Sequence, residues 1–266
     1  MNHLALKRIY QHNDFLKKTY KTYALFFQNI SLQKGGGYNV LYKNKKIYFE
    51  SLIEDNERLK IFLTSSANDD TCIMVIIDKS DKLAYIESLT NNKDNKCFDT
   101  PELNKGFNIM EITIKMLKKY KEKLTINVIQ LKDNSFIYCD NKTKTWLSSL
   151  SFLQYNNTFY GRFNFIPKDK DMYEKYLRNQ FILDETLTKK INIEKLMTKF
   201  NKKIYNKENI MKYYNKYKES NITKWFNKIS HKYMQSDCEF FNYLIDSIFQ
   251  DLKLEKFLHI SFILKL

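Results

Sequence analysis

The sequence predicts an α+β fold: a mixed sheet with flanking helices, followed by an α-helical C-terminal extension. Three observations predict it. Short apolar runs, alternating or continuous, recur between residues 38 and 131. One amphipathic helical pattern, Phe107 to Tyr120, separates two of those runs. Beyond residue 170 the chain has no glycine and no proline, and its apolar residues return at helical spacing.

Taken in order, residues 1–34 read as a basic helical segment, with Leu16, Tyr20, Tyr23 and Leu25–Phe27 near helical spacing. Gly35, Gly36 and Gly37 break it; without a GK[ST] or a preceding strand they read as a turn, not a phosphate cradle. The α+β domain is expected over 35–169. Tyr38–Tyr42 and Ile47–Phe49 flank Lys43–Lys46 as a hairpin, and residues 55–64 fit helix or strand equally. Thr71–Ile77 and Leu83–Leu89 make a second hairpin; both faces of the first run are apolar, as in a central strand. A polar loop, 90–105, leads to the Phe107–Tyr120 helix, where Ile109, Met110, Ile114 and Leu117 share a face. A strand over Thr125–Leu131, a turn at Lys132–Ser135, a helix over Trp146–Tyr155 and a strand over Phe159–Ile166, closed by Pro167, complete it. Residues 170–266 are expected to form an α-helical domain.

Composition excludes several classes. With 266 residues, 43% of them hydrophobic, the chain can bury a core. Five glycines and two prolines exclude collagen and low-complexity linkers. No apolar run approaches the length of a membrane span, so no membrane partner is expected, and the N-terminus shows no signal-peptide pattern. The net charge is +15, yet only four of 45 basic residues are Arg, beside 27 Asn. That balance is what an A+T-rich genome writes, a large cytoplasmic DNA virus being one such source, and it weakens the step from basicity to nucleic acid. Cys72, Cys97, Cys139 and Cys238 contain no CxxC, and no zinc spacing emerges. They read as reduced thiols in a cytoplasmic protein, the host cytoplasm for a virus.

Two stretches resemble one family. Leu103-Asn104-Lys105-Gly106-Phe107-Asn108-Ile109-Met110 resembles the pyrophosphate loop of the GNAT N-acetyltransferase superfamily, Gln/Arg-x-x-Gly-x-Gly/Ala before a helix. Phe159-Tyr160-Gly161-Arg162-Phe163-Asn164-Phe165 is similar to its closing signature, in which the tyrosine often protonates the leaving thiolate of CoA. The sequence departs from the pattern at Leu103, Asn108 and Asn164. The resemblance spans residues 38–167 and implies acetyl-CoA as cofactor and an amine as acceptor. It implies that Lys105, Gly106, Phe107, Asn108 and Ile109 bind the cofactor, where helix N–H groups and a glycine let phosphate approach. Tyr160 is the implied general acid and Glu87 the implied general base, with a backbone N–H near Ile86–Leu89 facing the oxyanion. Asp133, Asn134, Ser135 and Cys139 fit either the lining of a cofactor cleft or, for the first three, a turn.

The alternative is a non-catalytic scaffold of the same fold that binds nucleic acid or protein, as a virion component for example. Residues 186–232 carry 13 Lys against three Glu, interleaved with Tyr205, Tyr213, Tyr214, Tyr217, Trp225 and Phe226. Lysines could track a phosphate backbone while aromatics stack on bases; a merely solvated face is the plainer reading.

Overall fold

The computed structural model describes residues 37–53, 57–64, 71–89, 97–98, 103, 105–139 and 143–266. The expected N-terminal helical segment, Gly35 and Gly36, and most of the 90–105 loop lie outside the described residues. The fold is α+β, with a mixed, mostly antiparallel sheet and flanking helices. It divides into two compact units, residues 1–131 with 265–266, and residues 132–264.

The first unit is a meander. Strands β1 (Tyr38–Tyr42), β2 (Lys45–Ile53), β3 (Arg58–Thr64), β4 (Thr71–Asp78) and β5 (Leu83–Leu89) pair antiparallel in chain order. The β1–β2 turn is Lys43-Asn44, both at positive φ, the left-handed twist that two-residue hairpins require. The ambiguous 55–64 stretch is a strand: Leu59, Ile61 and Leu63 are buried in alternation. After β5 come helix α1 (Gly106–Lys119), a short α2 (Lys121–Leu124) and β6 (Val128–Lys132), which lies parallel to β5. Parallel strands need such a crossover. The core is the period-two face Val40, Ile47, Phe49, Ile61, Val75, Ile77 and Ala84, with the apolar stripe of α1 packing on β1 and β5.

The second unit opens on a hairpin, β7 (Phe136–Tyr138) with β8 (Lys144–Trp146), and continues into α3 (Leu147–Tyr155). The expected strand over Phe159–Ile166 does not form. Gly161–Phe163 is a 3-10 turn, and only Ile166–Pro167 is a strand, β9. Thr158 is the local reason: its hydroxyl accepts from Gly161 N–H at 2.9 Å and its carbonyl from Arg162 N–H at 3.3 Å, drawing the backbone out of an extended path. Helices α4 (Lys170–Glu185), α5 (Ile193–Lys199), α6 (Lys207–Tyr217), α7 (Ile222–Tyr233) and α8 (Cys238–Asp251) follow. Asp169, Asn192 and Asn221 cap three of them with side-chain oxygens. The expected helical tail instead ends in a strand, β10 (Ser261–Lys265), antiparallel to β9. Its period-two burial, with Phe262 and Leu264 inside, is a strand pattern. Phe152, Phe165, Trp225, Phe226, Phe240, Phe241 and Phe257 form the core.

The cysteines are not free. Cys72 is bonded to Cys97 in the first unit and Cys139 to Cys238 in the second, each pair with Cα atoms 5.7 Å apart. The expectation of reduced thiols is therefore corrected, Cys139 included. Separations of 25 and 99 residues carry no local signature, so only the folded chain brings these partners together. No described helix is long and apolar enough to cross a membrane.

Candidate functional site

Glu87 lies at an irregularity. Val75 pairs with Ile86 and Met74 with Ser88, so Glu87 is an extra residue on β5 opposite none on β4. A bulge of this kind bends a strand and redirects its backbone groups. The parallel partnership with β6 runs from Leu83–Val128 to Ile86–Leu131, while β5 continues through Glu87, Ser88 and Leu89. The Glu87 side chain is exposed.

Helix α1 begins at Gly106. Among the described residues, no side chain caps it, and an added Cβ at Gly106 would meet nothing within 4 Å. Clear of other described atoms, the backbone there suits close approach of an anion to the helix N-terminus. Lys105, just before it, is exposed, and Phe107 is half-buried. Asn108 is buried: its Oδ1 lies 2.9 Å from the Tyr42 hydroxyl oxygen and accepts from Lys43 Nζ at 3.4 Å. Ile109 is fully buried and its amide donates to the Lys105 carbonyl at 3.1 Å, so it serves the core and the helix. Leu103 is buried as well.

Lys43 was invisible as a site residue in the sequence, where it reads as a turn lysine. The β1–β2 turn carries it to the first turn of α1, across 65 residues of chain. Tyr42 is held there too: its hydroxyl donates to Glu111 Oε2, and Lys43 and Lys115 lie 5.3 and 4.9 Å from its ring centre. Burial, then the bonded Glu111 carboxylate, pushes the Tyr42 phenol well above its usual range. Among the described residues, no His/Cys/Asp/Glu group could hold a metal ion.

Tyr160 belongs to the second unit. It precedes the 3-10 turn, 8% exposed, with its ring against Phe159, Phe165 and Phe262. Burial, then the nearby Asp133 charge, pushes its phenol far up, and a hydrogen bond with Ser135 opposes this. Asp133 is fully buried. Its carboxyl, raised by burial to about 6, accepts at Oδ1 from Ser135 N at 3.0 Å and from Ser135 Oγ at 2.5 Å. Asp133 Oδ2 is buried with no hydrogen-bond partner among the described residues. The sequence offered Asp133 and Ser135 as turn chemistry or a cleft lining; the burial of Asp133 and the reach of its charge to Tyr160 needed the fold.

In residues 186–232, Trp225 and Phe226 are fully buried and Tyr214 packs edge-on against Trp225, so these serve the core. Tyr205 is exposed, and Tyr213 and Tyr217 are half-buried. The rings of Tyr213 and Tyr217 are nearly parallel, 3° apart, with centres separated by 6.2 Å. Lys216 and Lys224 lie 5.7 and 5.9 Å from the Tyr217 ring centre, and Lys232 lies 4.9 Å from that of Tyr213.

Set against known protein families, curated proteins and solved structures, the chain matches none of them. What the geometry defines is an α+β protein whose first unit carries a bulged strand end and, among the described residues, an uncapped helix start.

Proposed function

We propose that this chain is an N-acyltransferase of GNAT type that transfers an acetyl group from acetyl-CoA to an amine. One observation carries the reading: β5 runs past its last β6 partner through the bulged Glu87, and the helix joining the two strands opens, uncapped, at Gly106. Space beside the Gly106 backbone, clear of described atoms, would admit a pyrophosphate; Lys105 and Phe107 flank that glycine in the chain, and Lys43 reaches the first turn of the same helix at Asn108. The contribution proposed for Asn108 is indirect, through Lys43, and that of Ile109 is to hold the helix. Bound acetyl-CoA supplies the activated acyl carbon and the thiol leaving group. Glu87 takes the proton that the attacking amine sheds. A backbone N–H of Glu87–Leu89 steadies the developing oxyanion. Tyr160 holds the proton destined for the departing sulfur, as the resemblance assigns. The proposed location is the cytoplasm, where structural disulfides are rare. Counting alkylatable thiols in protein from its native source tests that point.

Isothermal titration with acetyl-CoA beside ADP tests the main reading. Affinity in about the micromolar range for acetyl-CoA and much weaker binding of ADP is the expected result. Absence of heat and of any thermal shift at saturating ligand defeats it.

A second reading, a nucleic-acid-binding scaffold, is favoured by the Tyr213–Tyr217 pair and its lysines. Bases could stack on the accessible part of such half-buried rings while ammonium groups meet phosphates. Lys216→Glu with Lys224→Glu should then weaken single-strand binding and reduce its salt slope by about 0.7 per lysine. Salt-insensitive binding rejects it.

A further inference from the structure

Two strands alone are marginally stable in water, yet β7 and β8 pair with each other outside the larger sheet. The folded chain ties them down. The Cys139–Cys238 disulfide joins the residue after β7 to the start of α8. Thr145, buried, donates to Asn242 Oδ1 at 2.7 Å, and Asn242 Nδ2 donates to the Lys144 carbonyl at 3.1 Å. Leu147 N–H closes the other end on the Ser135 carbonyl at 3.0 Å.

This anchorage presents an aromatic face. Phe136 pairs with Trp146 and Tyr138 with Lys144, so all four side chains share one side of the ribbon. Phe136 is 37% exposed and Tyr138 55%. Phe136 meets Tyr138 and Trp146 edge-on, with ring centres 5.3 and 5.8 Å away, so it stacks on neither. His259, exposed and held by Asn134, lies edge-on to Trp146 at 5.7 Å. The exposed Lys144 places its Nζ 4.3 Å from the Phe136 ring centre and 5.7 Å from that of Tyr138. Charge on this ribbon has one sign. Across 132–139 and 143–147 the single carboxylate is Asp133, which is fully buried, while Lys132 is exposed. Glu239, next to Cys238, is taken up by Lys202 at 2.8 Å.

We propose that this face of the β7–β8 ribbon binds single-stranded nucleic acid: bases stack on Tyr138, Phe136 and Trp146 while Lys144 turns from the rings to a phosphate. A ligand with flat faces and negative charge satisfies both halves of the surface. A neutral sugar or a proline-rich peptide would use the rings and leave the ammonium unmatched. The site takes no part in acetyl transfer and shares no residue with the Tyr213–Tyr217 pair.

Trp146 supplies the readout. The chain has two tryptophans and the other, Trp225, is fully buried, so a base stacking on this face quenches Trp146 emission. The full chain is titrated with oligo(dT) of about 12 nucleotides, and the anisotropy of a labelled copy gives the affinity. Emission should fall as the strand binds, and Trp146→Phe, which keeps a ring, should abolish the fall while binding persists. Tyr138→Ala should weaken binding about tenfold and Tyr138→Phe should restore it. Lys144→Ala should reduce the salt slope by about 0.7. Emission unmoved at saturation, affinity unaltered in Tyr138→Ala, or a salt slope unaltered in Lys144→Ala overturns the proposal; the first of these needs no variant to fold. Loss of binding confined to Lys216→Glu with Lys224→Glu also overturns it and leaves the nucleic-acid reading of the Tyr213–Tyr217 pair standing. No binding of oligo(dT) rejects both and spares the acyltransferase.

Discussion

Each unit contains one motif glycine, and the two sit in opposite surroundings. Gly106 opens a helix with no described atom within 4 Å of where a side chain would be. Gly161 is buried, and a Cβ there would collide with Asn157 Oδ1 and the Tyr176 hydroxyl, which are bonded to each other. The units differ in the same sense. The first keeps its helix start uncapped beside lysines at the surface. The second closes over its polar groups, burying Asp133, Thr158 and Asn179 beneath a layer of aromatics. A glycine in a motif can therefore mean room for a ligand or no room for a neighbour, and the two respond oppositely to one added methyl group.

The disulfides give the largest expected contrast. The Cys139–Cys238 link spans 99 residues and the Cys72–Cys97 link 25. Loop-closure entropy then gives about 4.7 kcal/mol for the first and about 3.5 kcal/mol for the second. Replacing each pair by alanines and comparing urea midpoints should show the larger loss in the second unit. An equal or reversed order means loop closure does not set the difference.

The next effect belongs to Asp133. Its carboxyl is raised from 3.8 to about 6, so the folded chain keeps a proton that the unfolded chain releases. The stability from this group is complete below pH 3.8 and is lost as pH rises through about 6. The loss amounts to about 3 kcal/mol. Asp133→Asn should flatten denaturation midpoints between pH 4 and 7; a wild-type midpoint flat over that range contradicts it. The first unit shows no comparable buried carboxylate among its described residues.

The glycines give the smallest contrast. Gly161→Ala should cost about 1–3 kcal/mol through overpacking. Gly106→Ala should add about 0.5 kcal/mol of stability, since alanine suits a helix start and meets nothing. If phosphate approaches that backbone, the same change weakens acetyl-CoA about tenfold or more, visible by titration. Unaltered affinity in Gly106→Ala removes Gly106 from the proposed cofactor loop.

The sequence was most informative where one element satisfied one periodicity. The β4 and β5 runs, the α1 stripe and the Trp146–Tyr155 helix emerged close to their observed bounds, because their faces are buried by neighbours near in the chain. The 58–64 strand is short, and its pattern admits a helix until β2 and β4 pair with it. Phe159–Ile166 has the apolar content of a strand, but Thr158 and Asn164, the latter left-handed at φ 67°, bend it into a turn. Of the candidate site, Gly106 and Glu87 were legible as a loop glycine and a strand carboxylate. Lys43 was not, because it meets α1 through a long-range contact that no spacing encodes.

The amino-acid sequence by itself determined the alternation of strands and helices, the basic and lysine-dominated surface, and the absence of a long apolar span within it. Those properties depend on residue type and local period, which need no distant partner. The tertiary structure alone decided the cysteine pairing, the bulge at Glu87, the return of β10 to β9, and the burial of Asp133. Each of these joins groups far apart in the chain or changes a group's solvent. A carboxylate in a turn and a carboxylate in a core are the same letter; removal from water is what raises the second and holds its proton.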